Sequence, residues 1–156
     1  MKIHKIVIVF GFVFLQLFQT SSGDPKISPE NAVQLATQQL FKVAKSNEAL
    51  LPENPERFQQ LIIKNLEDST DFEGFAKGVM AKYYRLATED QRANFAKKFK
   101  ISLAETYSKA LLEFDSDSVT VKSSEIEKFD RAKVTVEVKS SSGNIYPIIY
   151  SLRLIE

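Results

Sequence analysis

The stretch DFEGFAKGVMAKYYRLATEDQRANFAKKFKISLAETYSKALLEF, residues 71–114, decides the fold. Its first part places Phe72, Phe75, Ala76, Val79, Met80 and Tyr83 at spacings of three and four, the period of one helical face. Its second part sets Phe95, Phe99, Leu103, Tyr107 and Leu111 at steps of four, with Lys97, Lys98, Lys100, Glu105 and Lys109 on other faces. Thr88 with Gln91 three residues on predicts a reciprocal cap at the start of the second helix, and Thr70 with Glu73 offers the same device to the first. Two helices joined end to end follow. They carry more aromatic surface than a small domain needs to close its core.

Upstream, Ser28-Pro29 opens a helix as N-cap and first-turn proline, with Val33, Ala36, Leu40, Val43 and Ala44 as its apolar stripe. Asn54-Pro55 repeats the signal for a helix carrying Phe58, Leu61, Ile62 and Leu66. Downstream of Phe114 the period falls to two. Val119 and Val121, then Ala132, Val134, Val136 and Val138, then Tyr146, Ile148, Tyr150, Leu152 and Leu154 alternate with other residues, as half-buried strands do. A turn lies between the last two runs, with Gly143-Asn144 suited to positive φ. Pro147 withholds one ladder donor and points to an edge or bulge position. Helices first and antiparallel strands afterwards predict an α+β domain, helices packed on one face of a curved sheet.

The N-terminus reads differently. Lys2 and Lys5 precede an almost wholly apolar run over residues 6–18, followed by the small residues Thr20, Ser21, Ser22 and Gly23. That is the tripartite pattern of a secretory signal peptide, and the run is short of the roughly 20 residues a membrane span needs. The expected organisation is therefore residues 1–23 as leader, cut after Gly23 with Ser21 and Ser22 as alternatives, and residues 24–156 as the domain. Loss of Lys2 and Lys5 moves the formal charge from +1 to −1. Such a balance argues against nucleic acid as partner, because displacing counterions needs concentrated Lys and Arg. The cluster Lys97, Lys98 and Lys100 is expected on a solvated face, with a docking patch for a partner or anionic head groups as the alternative.

The single His, His4, lies in the leader, and the chain has no Cys and no Trp. The domain thus lacks the groups for Ser-His-Asp, Cys-His or His-bearing zinc chemistry. Asp115-Ser116-Asp117 has a hint of calcium-loop spacing without the glycine or distal Glu, so a solvated turn is expected. No cofactor, metal or enzymatic activity is called for. Gly74 and Gly78, each costing about 1 kcal/mol in a helix interior, predict close approach of another element; room for a bound chain is the alternative.

One resemblance sharpens this picture. Asp71-Phe72, Val79-Met80, Tyr83-Tyr84-Arg85, Ala87-Thr88, Gln91-Arg92, Phe95, Phe99, Leu103, Thr106-Tyr107 and Ala110-Leu111 closely resemble the MlaC (toluene-tolerance) family. The strand pattern through Pro147 and Tyr150-Ser151-Leu152-Arg153 fits that family more loosely. The resemblance implies a periplasmic phospholipid carrier with an NTF2-like fold, acyl chains held between helices and sheet. It further implies exchange with an inner-membrane MCE-domain/ABC transporter complex and an outer-membrane lipoprotein–porin complex, in the service of outer-membrane lipid asymmetry. The family continues with a turn, a Gly-Lys-Trp-like segment and a further strand, whereas this chain stops at Glu156. Its sheet is therefore expected to lack the last strand, through truncation, a frameshift or divergence. Candidate lipid-binding residues are Phe72, Phe75, Val79, Tyr83, Phe95, Phe99, Leu103, Tyr107, Val134, Val136, Val138, Ile148 and Tyr150, with plain core packing as the alternative role for each. Other functional readings stay open: an NTF2-like small-molecule enzyme, with a carboxylate or His inside the cavity, a non-enzymatic adaptor whose cavity is a filled core, and a non-functional truncated homologue.

Overall fold

A computed structural model describes residues 13–17, 28–67 and 69–154; for 13–17 and 154 only the backbone is described. The elements run β1 (Val13–Leu17), α1 (Pro29–Ser46), α2 (Leu50–Glu53), α3 (Pro55–Glu67), α4 (Phe72–Met80), a 3-10 turn (Ala81–Arg85), α5 (Glu89–Leu111), β2 (Phe114–Lys128), β3 (Arg131–Ser140) and β4 (Ile145–Leu154). The architecture is α+β, as the change of period predicts.

Local chemistry sets the helix starts. Ser28 Oγ accepts from the Asn31 amide at 3.3 Å, and Asn54 Oδ1 accepts from the Arg57 amide at 3.1 Å. At α5 the reciprocal cap is complete: Thr88 Oγ1 accepts from the Gln91 amide at 3.2 Å, and Gln91 Oε1 accepts from the Thr88 amide at 2.9 Å. The expected Thr70–Glu73 cap of α4 is replaced. Asp71 takes the position one residue later and accepts from the Gly74 amide at 2.7 Å. This explains Gly74, where an added Cβ would lie 2.3 Å from the Asp71 carboxylate. The expected close approach of another element is absent at Gly78, where a Cβ would meet nothing within 4 Å among the described residues.

The first helix of the organising stretch is shorter than its apolar period suggests. It stops at Met80, and Ala81 turns the chain with φ 48, a region costly for a residue with a side chain. The following 3-10 turn is clamped to α5 by Arg92, whose Nε donates to the Tyr84 carbonyl at 2.8 Å while its guanidinium lies 4.4 Å from the Tyr84 ring.

The strand order is β1-β4-β3-β2. β2, β3 and β4 are antiparallel, with Val121 opposite Val136 and Val136 opposite Ile148. Gly143 supplies the positive φ of 86 in the β3–β4 turn. β1 pairs parallel to β4, Val13 opposite Tyr150 and Leu17 opposite Leu154, so the sheet is not antiparallel throughout. Its residues belong to the apolar run expected as leader; the remainder of residues 1–23 lies outside the described residues. Among the described residues β1 covers β4 from Tyr150 onward, and there Pro147, opposite Glu137 on β3, has no second neighbour to need its missing donor.

Two apolar clusters result. One joins α1 to the sheet through Val33, Phe41, Val134, Val136, Val138, Tyr150 and Leu152; the other joins α1 to α3 through Ala44, Phe58 and Ile62. Each fully buried large side chain stabilises the fold by about 1.5–3 kcal/mol relative to exposure. α1 is the helix seated on the sheet, whereas α5 rests mainly on α3 and α4. Leu111, at the end of α5, touches both clusters.

Candidate functional site

Between the clusters lies a cavity of about 430 Å³, within the roughly 300–1,000 Å³ of small-molecule sites. α1 contributes Leu40 and Phe41, α3 contributes Ile62, Ile63 and Leu66, and Phe72 and Phe75 come from α4. α5 supplies Lys100, Leu103, Ala104, Tyr107, Ala110 and Leu111, and the strands supply Phe114, Val138, Tyr146, Ile148 and Tyr150. Thr70 and Glu113 complete the wall. One side is ordered by aromatic packing: Phe41 stacks on Phe114 at 5.2 Å, and Tyr146 meets Phe114 edge-on at 5.6 Å.

The polar groups of the wall are few. Tyr150 and Thr37 of α1 share a hydroxyl hydrogen bond of 2.9 Å, and burial holds the phenol above its ordinary pKa. It is neutral at physiological pH. Lys100 pairs with Glu67, its ammonium 5.5 Å from the Phe72 ring centre. Thr70 Oγ1 is buried with no hydrogen-bond partner among the described residues, an arrangement that costs about 1–3 kcal/mol when left unmet. Glu113 is an exposed carboxylate. Among the described residues, no cluster of acidic or metal-ligating side chains could hold an ion. Such a wall suits hydrocarbon with a polar end.

Seven of the thirteen residues put forward from the sequence line this cavity: Phe72, Phe75, Leu103, Tyr107, Val138, Ile148 and Tyr150. Val134 and Val136 are buried without reaching it, packed between α1 and the sheet. Phe99 meets α4 instead, 5.1 Å from Phe75, and Phe95 stacks on Phe99 at 5.8 Å. The reason is geometric, since each step of four on a 3.6-residue repeat precesses by about 40°. The stripe that begins at Phe95 therefore faces the cavity only from Leu103 onward. Val79, near the end of α4, and Tyr83, beyond its end at Met80, are exposed, at 53% and 61%. The contributions of α1, α3 and β2 were not anticipated. Ile62-Ile63 carried a signal, since adjacent isoleucines widen the face beyond one core stripe. Lys100 corrects the expected solvated cluster: its side chain is 24% exposed and joins the wall, three residues before Leu103 on the same face.

The class defined is an α+β domain with an apolar cavity between helices and sheet, an arrangement consistent with an NTF2-like fold. The family model described as MlaC protein matches residues 34–155, and the chain belongs to the MlaC family. The toluene tolerance protein ttg2D of Pseudomonas putida is 33% identical over 129 residues, covering 82% of this chain. This chain spans 60% of that relative's length. The intermembrane phospholipid transport system binding protein MlaC of Haemophilus influenzae is 22% identical over 149 residues, which cover 95% of this chain and 69% of that protein. A phospholipid-binding protein from Ralstonia solanacearum, solved in complex with a phospholipid, shares the fold. The TM-score is 0.58 at 20% identity, over 80% of this chain and 76% of that one.

Proposed function

We propose that this protein is a phospholipid carrier that holds acyl chains in the cavity between α5 and the sheet and moves lipid across the periplasm between the two membranes. The observation that carries the reading is the cavity itself: about 430 Å³ walled by apolar side chains and by two charged ones, Lys100 and Glu113. Burying some ten methylenes there is worth on the order of 8 kcal/mol before association costs. The names of the relatives point the same way. On this reading residues 1–23 are a leader, and the donor and acceptor are the inner-membrane MCE-domain/ABC transporter complex and the outer-membrane lipoprotein–porin complex. The lining residues act by shape and apolarity, and no reaction is needed. Among the described residues no helix is long and apolar enough to cross a membrane, which fits a carrier released into the periplasm.

Native mass spectrometry of protein taken from its own cells is the test. Phospholipid adducts are expected, together with a mass that reports leader removal. Protein that is lipid-free and takes up no labelled phospholipid from vesicles overturns the proposal.

A further inference from the structure

On the reading that the cavity takes a hydrocarbon chain, we infer that Lys100 and Thr70 form an anion-anchoring subsite in its wall, which selects amphiphiles whose alkyl chain ends in negatively charged oxygens.

Both residues belong to the wall, and the rest of it, Glu113 apart, carries no formal charge. The Lys100 side chain is 24% exposed, and Glu67 accepts a hydrogen bond from its ammonium. An ammonium has three donors, and no second carboxylate partner reaches this one among the described residues. Thr70 Oγ1, buried and without a partner, has a proton to give. The nearby Asp71 carboxylate accepts from the Gly74 amide and takes no hydrogen bond from that hydroxyl. Thr70 and Lys100 are brought to the same region by Phe72: its amide donates to the Thr70 carbonyl at 3.0 Å, and its ring sits 5.5 Å from the ammonium.

Two donors in an apolar wall are matched by anionic oxygens, and charge-assisted bonds strengthen where water is scarce. Glu67, 47% exposed, can surrender the ammonium and return to water. The lysine is thereby held by its own carboxylate in the empty protein and passed to the ligand in the loaded one. A phosphodiester and a fatty carboxylate offer the same oxygens.

The test compares three ligands of one chain length on the full-length protein: palmitoyl lysophosphatidylglycerol, palmitate and the neutral hexadecanol. Lys100→Gln is expected to weaken the two anions on the order of tenfold or more while hexadecanol changes by less than about twofold, with Lys100→Arg restoring most of the loss. Thr70→Val is expected to cost the anions about fivefold. Glu67→Gln, which frees the ammonium, is expected to tighten them, and it keeps the test decisive should Lys100→Gln fail to fold. Loss confined to the phosphate ligand assigns the subsite to a phospholipid head group; loss confined to palmitate assigns it to a fatty acid. Equal losses for charged and neutral ligands, or none for any, overturn the subsite and leave the carrier reading standing. Failure of all three ligands to bind the unaltered protein overturns both.

Discussion

Filling the cavity without damaging the fold separates a binding site from an imperfect core. Ala104 lies on α5, 6% exposed, with its methyl group in the cavity wall. Ala104→Phe adds a phenyl ring that takes the place of about five ligand methylenes, each worth about 0.8 kcal/mol on burial. The expected loss is about 4 kcal/mol, close to a thousandfold in Kd. Stability moves the opposite way. An apolar ring in an apolar void adds about 0.5–2 kcal/mol, or a few degrees in Tm for a chain of this size. Displacement of a fluorescent fatty-chain probe measures the first quantity and thermal unfolding of lipid-free protein the second. Weakened binding with a raised Tm is the expected pair. Unchanged binding with a lowered Tm would show that the space is too tight for a ring and holds no ligand, and the reasoning would fall.

Other expectations are simpler. Gly78→Ala stabilises α4 by about 1 kcal/mol, since its Cβ meets nothing within 4 Å, whereas Gly74→Ala destabilises it by collision with the Asp71 cap; urea midpoints measured side by side give both signs. Thr88→Ala removes half of the reciprocal cap of α5 and costs about 1 kcal/mol, read by the same assay. Hydrogen bonds from Ser124 and Ser28 hold the Glu30 carboxyl below its usual pKa. The stability it contributes is therefore complete above about pH 4.3 and is lost as pH falls through the lowered folded value. The midpoints of wild type and Glu30→Gln should differ at neutral pH and converge in acid.

What the sequence disclosed follows the range of the forces involved. Caps at Ser28, Asn54 and Thr88 are satisfied within three residues, so their patterns are sufficient. Strand alternation was equally plain, because Val134, Val136 and Val138 must all face one way to be buried. The end of α4 was not legible: Ala81 at φ 48 has no glycine, asparagine or proline to announce it, and Tyr83 was carried outward with it. Nor could spacing reveal which part of the α5 stripe meets the cavity, since that depends on where its precession is intercepted by α3 and α4. The parallel pairing of β1 with β4 had no local mark at all, being a contact between opposite ends of the chain.

The separate seating of α1 and α5 has a mechanical meaning. One helix is seated on the sheet and the other on its fellow helices, and the two halves are joined by the buried α1–α3 cluster of Ala44, Phe58 and Ile62 as well as by Leu111. Parting them would uncover those side chains, although no strand ladder or helical turn runs between the halves. On the carrier reading, that shared cluster sets how far the wall can give to cargo of different girth.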